Sequence, residues 1–125
     1  MARLPIRRTD APGRRKFLSS LLTHLPGAWI SPSEEELVSL YQLRYRMAMD
    51  ERKYDIALVF LNKILEVQPR NYEARLRKGE IYHLHTRDVT QAIDQYKRVI
   101  RMAPPGDRHR ELARTSLTEL IELVS

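Results

Sequence analysis

Two stretches of the chain repeat one spacing of a small residue, a bulky residue and a proline. The spacing occurs at Ala57, Leu61 and Pro69, and again, 35 positions later, at Ala92, Tyr96 and Pro104. A small residue lets two helices approach closely, a bulky residue fills the space between them, and proline ends a helix. A fixed period of this length is typical of stacked helical hairpins.

Helical spacing of apolar residues supports an all-α fold, and no stretch alternates with period two over the length of a strand. Ser33 and Glu36 predict the start of a helix through a capping box, and Asp107 predicts the start of the last one. The predicted buried faces are Leu37, Leu40, Tyr41, Tyr45 and Ala48; Ile56, Ala57, Phe60, Leu61, Ile64 and Leu65; Ala74, Leu76, Ile81 and Tyr82; Ala92, Ile93, Tyr96, Val99 and Ile100; and Leu112, Leu117, Leu120, Ile121 and Val124.

Composition narrows the class of protein. The 125 residues are 42% hydrophobic and 30% charged, as in a soluble globular chain, and the absence of cysteine excludes disulfides and thiolate chemistry. No glycine-rich phosphate loop, nucleophile elbow or HExxH motif occurs. His83 and His85 point about 200° apart on a helix and cannot share a metal ion. We therefore expect no catalytic residues, no cofactor and no metal site.

Positive charge is concentrated at the start of the chain. Residues 1–33 hold six Arg and Lys residues against Asp10 alone, so five of the six net positive charges lie there. Within this arm, residues 14–25 predict an amphipathic helix, which Pro26 and Gly27 end, and a linker that contains Trp29 follows. The candidate docking residues of the arm are Arg7, Arg8, Arg14, Arg15, Phe17, Leu21, Leu25 and Trp29.

Several interpretations of the arm stay open. It is a docking element, an intramolecular cap on the helical domain, or a contact with an anionic membrane surface. The run from Arg14 to Leu18 also resembles a twin-arginine export signal, but no A-x-A cleavage site follows it. An Arg-rich, acid-poor amphipathic leader resembles a mitochondrial presequence as well.

The spaced residues resemble the tetratricopeptide repeat, whose pattern is W-x2-L-G-x2-Y, then A-x3-F, then P. Gly79 and Tyr82 match the first half of that pattern in the second unit, and Tyr41 stands at the tryptophan position of the first. The departures are Arg44 and Lys78 at the leucine position, Arg75 at the tryptophan position and Tyr45 at the small position. The spacing from Gly79 to Ala92 is one residue longer than in the family, which predicts a longer second turn.

The resemblance implies a domain at residues 33–125, with repeats at 38–71 and 72–106 and a capping helix at 107–124, preceded by the arm at 1–32. In this family, exposed positions of the first helix of each pair line a ligand groove. Here those positions are Gln42, Arg46, Met49, Glu73, Leu76, Glu80 and His83. The lysine and asparagine clamp of the chaperone-binding subclass is missing, since Gln42 and Arg46 stand in its place.

The function that follows is a non-catalytic adaptor that docks on a larger assembly through the groove and the arm. The expected partner is a peptide or helix of another protein, with self-association open. A nucleic-acid module or a membrane-surface module that uses the arm, and an exported or organelle-targeted protein, are the alternatives. The expected location is cytoplasmic.

Overall fold

The computed structural model describes residues 31–125, which form five α-helices. Numbered in chain order, these are α1 (Glu34–Asp50), α2 (Tyr54–Val67), α3 (Tyr72–Glu80), α4 (Val89–Met102) and α5 (Arg108–Val124). A π-helical turn, Ile81–His85, continues α3. Because residues 31–125 contain no strand, the all-α prediction is confirmed for them. The helix predicted at residues 14–25 lies outside the described residues.

Polar side chains begin the helices where the sequence predicts. The helix α1 starts directly after Ser33 with three glutamates in its first turn, where negative charge stabilises the helix dipole. Asn71 precedes α3, and its Oδ1 accepts a hydrogen bond from the backbone N–H of Ala74 at 2.9 Å. Asp107 precedes α5 and accepts from the N–H of His109 at 2.7 Å. Each of these two side chains satisfies one helix N–H that has no partner within its helix.

The first four helices form two hairpins, α1 with α2 and α3 with α4. Each hairpin has a three-residue turn whose middle residue is left-handed, with φ of 58° at Arg52 and 60° at Arg87. The last helix, α5, packs on α4 and also contacts α3. Helices joined by so short a turn lie side by side and bury one face against each other.

The buried residues form two clusters, one for each hairpin. The first consists of Val38, Tyr41, Ala48, Ala57, Leu61, Ile64, Ala74 and Ile81; the second consists of Leu76, Ala92, Tyr96, Val99, Ala103, Ala113 and Leu120. The helix α3 with its π-helical continuation contributes to both clusters. Ala74 and Ile81 join the first, and Leu76 joins the second.

Part of the predicted apolar faces is wrong. The residues Leu40, Ile56, Leu112, Ile121 and Val124 are 40–55% exposed, whereas Val38 and Ala113 are buried instead. Helical periodicity fixes the angle between residues but not the direction of the neighbouring helix. On α5, for example, Leu112 lies about 100° around the helix from Ala113, away from the face that α3 and α4 cover.

The predicted longer turn after α3 is also wrong, because the extra residue lies within the helix. In the first hairpin the N–H of Lys53 donates to the carbonyl of Ala48 at 2.8 Å. The corresponding bond in the second hairpin runs from Asp88 to Tyr82, also at 2.8 Å, and spans one residue more. The π-helical turn Ile81–His85 takes up that residue. Both connecting turns therefore keep the same length.

The two hairpins fill the space between their helices in opposite ways. A Cβ atom at Gly79 would lie 2.6 Å from Cε1 of Tyr96, so the tyrosine ring packs directly on the glycine of α3. In the first hairpin Tyr45 stands where the second has Gly79, and Leu61 stands where it has Tyr96. A larger residue on the first helix is thus matched by a smaller one on the second helix.

Candidate partner-binding groove

A groove of about 200 Å³ lies between α1 and α3. Its floor is apolar and consists of Leu61, Ile64 and Ala74, each at most 4% exposed. Its rim is polar, with Gln42, Tyr45 and Arg46 from α1, Asn71 from the residue before α3, and Glu73 and Arg77 from the first and last turns of α3. Polar side chains therefore outnumber apolar ones in the lining, and the apolar atoms lie at the bottom of the groove.

Two glutamates hold the guanidinium of Arg77 at the rim. Its Nη1 donates to Oε1 of Glu80 at 2.8 Å, and its Nη2 lies 3.4 Å from Oε2 of Glu73. The hydrogen bond to Glu80 is the main reason why the pKa of Arg77 is raised. Across the groove, Arg46 has no carboxylate within ion-pair distance among residues 31–125. Arg46 is therefore the rim cation available to an acidic group of a ligand.

The hydroxyl of Tyr45 adds a neutral polar group to the rim. Burial is the largest cause of its raised pKa, and the positive charge of Arg77 acts in the opposite direction. The phenol therefore stays protonated at neutral pH and can both donate and accept a hydrogen bond.

The structure brings only part of the predicted groove residues together. Gln42, Arg46 and Glu73 line the groove. Glu80 lies beside it as the acceptor for Arg77. Met49 is half-buried and packs against the first core cluster.

The family resemblance placed Leu76 on the exposed groove face, and this placement is wrong, whereas its inclusion among the buried apolar residues is correct. Its side chain is 0% exposed and belongs to the second core cluster. Leu76 lies about 60° around α3 from Glu73 and about 100° from Arg77, on the side where it packs with Ala92, Tyr96 and Val99 of α4. Family position alone did not reveal this.

His83 packs into the second hairpin. Its Nδ1 lies 3.0 Å from the hydroxyl oxygen of Tyr96, and the two rings meet edge to face with centroids 5.8 Å apart. The pKa of Tyr96 is raised to about 12, mainly by burial and in smaller part by the negative charge of Glu80. The neutral phenol is thus the form that this contact holds at physiological pH.

Sequence reasoning missed Tyr45, Asn71 and Arg77 as groove residues. The signal for Arg77 was present, since it follows Glu73 by four residues and such pairs meet on one face of a helix. Asn71 was recognised only as a helix start. Tyr45 was assigned wholly to the core, although it also lines the groove.

The two histidines near the end of α3 each contact a different helix. The ring of His85 stacks on Tyr54 of α2 at 4.2 Å, while His83 contacts Tyr96 of α4. In the part of the chain that the structure describes, no three His, Asp or Glu side chains are placed to hold a metal ion.

The candidate docking residues of the arm, from Arg7 to Trp29, lie outside the described residues, and their role stays a prediction. Among residues 31–125, no helix combines the length and the apolar character needed to cross a bilayer.

The described residues define a class: an all-α protein of two helical hairpins and a closing helix, with a groove between the first helices of the hairpins. A scan against protein-family models gave no match to the chain, and a search of the curated proteins gave none.

Proposed function

We propose that the chain is a non-catalytic adaptor of the tetratricopeptide-repeat type that holds a segment of a protein partner between α1 and α3. The composition of the groove is the observation that carries this proposal. Its apolar floor can receive a side chain, and its rim presents Arg46 and Gln42 for polar contacts. Such surfaces bind extended peptides or amphipathic helices through a few anchor residues.

The likeness of the two hairpins supports the repeat assignment. Their turns have the same length and the same left-handed middle residue, and their small and bulky residues recur at offsets of 34 or 35 positions. The contact of Gly79 with Tyr96 is the close approach that a small residue permits at this position of the repeat.

The volume of the groove limits what enters it. About 200 Å³ corresponds to roughly seven waters at ~30 Å³ each, which is the space of one bulky side chain. The partner therefore inserts a single apolar anchor, with an acidic residue nearby to meet Arg46. Specificity for a longer segment requires a second contact, and we assign that contact to the basic arm. The arm would then bind the larger assembly, in the cytoplasm, to which the partner belongs.

A photo-crosslinking experiment tests the groove. A photoreactive amino acid placed at Gln42 is expected to crosslink one defined protein in cells. The matched control is the same amino acid at Glu122, an exposed position of α5 that belongs to neither the groove nor α4. Equal adducts at both positions, or none at Gln42, would refute binding in the groove.

Co-purification of the full chain and of a variant without residues 1–30 tests the arm. We expect the full chain to retain a specific protein partner at physiological salt and the shortened chain to retain less. If only nucleic acid is retained, with affinity falling steeply as salt rises, the arm contacts phosphates through counterion release and the adaptor proposal fails. Retention of anionic vesicles alone would identify a membrane-surface module instead.

A further inference from the structure

Three basic side chains cluster between α3 and α4, away from the groove. Arg75 and Lys78 lie on the opposite side of α3 from Glu73 and Arg77, because each residue advances about 100° around a helix. Arg98 of α4 completes the group, hereafter the cationic cluster.

The polar contacts of the cationic cluster leave most of its donors available. Arg75 donates through Nη1 to Oε1 of Gln95 at 3.4 Å, and Arg98 pairs through Nε with Oδ2 of Asp94 at 3.1 Å. The same Asp94 oxygen accepts from Nε2 of Gln95 at 3.5 Å. Within residues 31–125, Lys78 Nζ has no hydrogen-bond or ion-pair partner.

Like charges raise the electrostatic cost of this arrangement. Burial is the largest cause that lowers the pKa of Lys78, and the charges of Arg75 and Arg98 lower it further. Burial and the charge of Arg98 likewise lower the pKa of Arg75, with Asp94 acting in the opposite direction in both cases. Asp94 is the one acid among these contacts, so the cluster keeps a net charge of about +2, a potential that attracts anions.

The first hairpin shows that the fold does not require these charges. Where the second hairpin has Arg75 and Gln95, the first has Tyr41 and Phe60, whose rings pack with centroids 6.2 Å apart. The residue that corresponds to Arg98 is Lys63, and its Nζ lies 5.9 Å from the centre of the Tyr41 ring. These positions thus hold two packed aromatic rings in the first hairpin, and an arginine with a glutamine in the second.

We propose that the cationic cluster binds a dianionic phosphate monoester, as carried by a phosphorylated side chain of a protein partner. Two negative charges neutralise the net charge of the cluster, whereas one carboxylate or one phosphodiester would leave it half neutralised. A phosphate monoester also offers three strong acceptor oxygens to the donors of Arg75, Lys78 and Arg98. This site is separate from the groove and does not rest on the proposed function.

Nuclear magnetic resonance titration of the full chain tests the site at constant ionic strength. The probes are inorganic phosphate, a short phosphoserine peptide and dimethyl phosphate, at about pH 7.5, where a phosphoserine with its second pKa near 6 is dianionic. We expect saturable shifts at residues 75, 78, 95 and 98 with both dianions and none with dimethyl phosphate. Tighter binding of the peptide than of inorganic phosphate identifies a phosphoprotein as the source, and equal binding identifies a free phosphate compound.

Two variants and one control separate binding from folding. Lys78→Met keeps the apolar stem and is expected to weaken phosphate binding about tenfold, because it removes one charge-assisted hydrogen bond. Arg75→Tyr places in the second hairpin the residue that the first already holds, so it should fold and bind about tenfold more weakly. Arg44→Met is the control and should bind as the parent does, since Arg44 holds the position of Lys78 in the first hairpin. Shifts confined to the arm, or variants that bind unchanged, would overturn the proposal.

Discussion

Replacement of Gly79 by alanine tests how the second hairpin packs. The new Cβ would lie 2.6 and 2.8 Å from Cε1 and Cδ1 of Tyr96, distances that real Cβ atoms do not show, and 3.2 Å from Cζ, which is a tight contact. The tyrosine ring cannot easily retreat, because Tyr96 is 0% exposed and its hydroxyl contacts His83 at 3.0 Å. The two helices must therefore separate or the ring must leave its preferred rotamer.

The expected magnitude is the difference of two effects. Overpacking of a filled core costs about 1–3 kcal/mol, while alanine is favoured over glycine in a helix by ~1 kcal/mol. The variant should thus lose about 1 kcal/mol of unfolding free energy. For a domain of this size that corresponds to a fall in Tm of roughly 4–8 °C.

Urea denaturation followed by circular dichroism measures the loss, and a double mutant supplies the control. Gly79→Ala combined with Tyr96→Leu should be less destabilised than the sum of the two single changes, because leucine, which occupies the corresponding position as Leu61, leaves room for the Cβ. If Gly79→Ala proves more stable than the parent, or if the two changes add independently, the contact between Gly79 and Tyr96 does not limit the approach of α3 and α4.

Three further predictions concern the same domain. The folded pKa of Tyr96, about 12, lies above the unfolded value of 10.0, so the unfolding free energy is fully retained below pH 10 and falls by roughly 2–3 kcal/mol as pH rises to 12. Urea denaturation at a series of pH values should give a steeper fall of unfolding free energy with pH for the parent than for Tyr96→Phe. An identical dependence on pH in the two proteins would contradict the assignment. Asn71→Ala should cost ~1 kcal/mol through loss of the cap to Ala74, and Asn71→Asp should cost little, as chemical denaturation can show. Leu84 lies in the π-helical turn and is 57% exposed, so its deletion should convert that turn to α-helix and leave the unfolding free energy within about 1 kcal/mol of the parent. If the nuclear magnetic resonance spectrum of the deletion variant lacks the His83–Tyr96 or the His85–Tyr54 contact, the extra residue lies elsewhere.

Local signals in the sequence predicted most helix boundaries correctly. Pro69 and Pro104 mark where α2 and α4 have ended, and Asn71 and Asp107 mark where α3 and α5 begin, because capping and proline act within one turn of the chain. The sequence did not reveal the π-helical turn, since an added residue between Gly79 and Ala92 is equally compatible with a longer loop.

The groove was harder to predict because it depends on two helices at once. Leu76 was expected in the groove and Tyr45 in the core, yet Leu76 is buried against α4 and Tyr45 lines the groove. The spacing of Arg77 from Glu73 predicts that the two side chains share one face of α3, but not that this face lines the groove. These outcomes depend on where neighbouring helices lie, which no single-helix pattern contains.

The contribution of α3 to both core clusters determines how the domain unfolds. Because α3 and its continuation supply Ala74 and Ile81 to one core cluster and Leu76 to the other, neither hairpin can open fully while the other keeps all its contacts. Amide hydrogens of α3 should then exchange only through global unfolding, whereas those near the end of α5, where Leu123 is 73% exposed, should exchange through fraying. The two hairpins thus contribute jointly to the stability of this domain, and a substitution in either one lowers the protection of the helix they share.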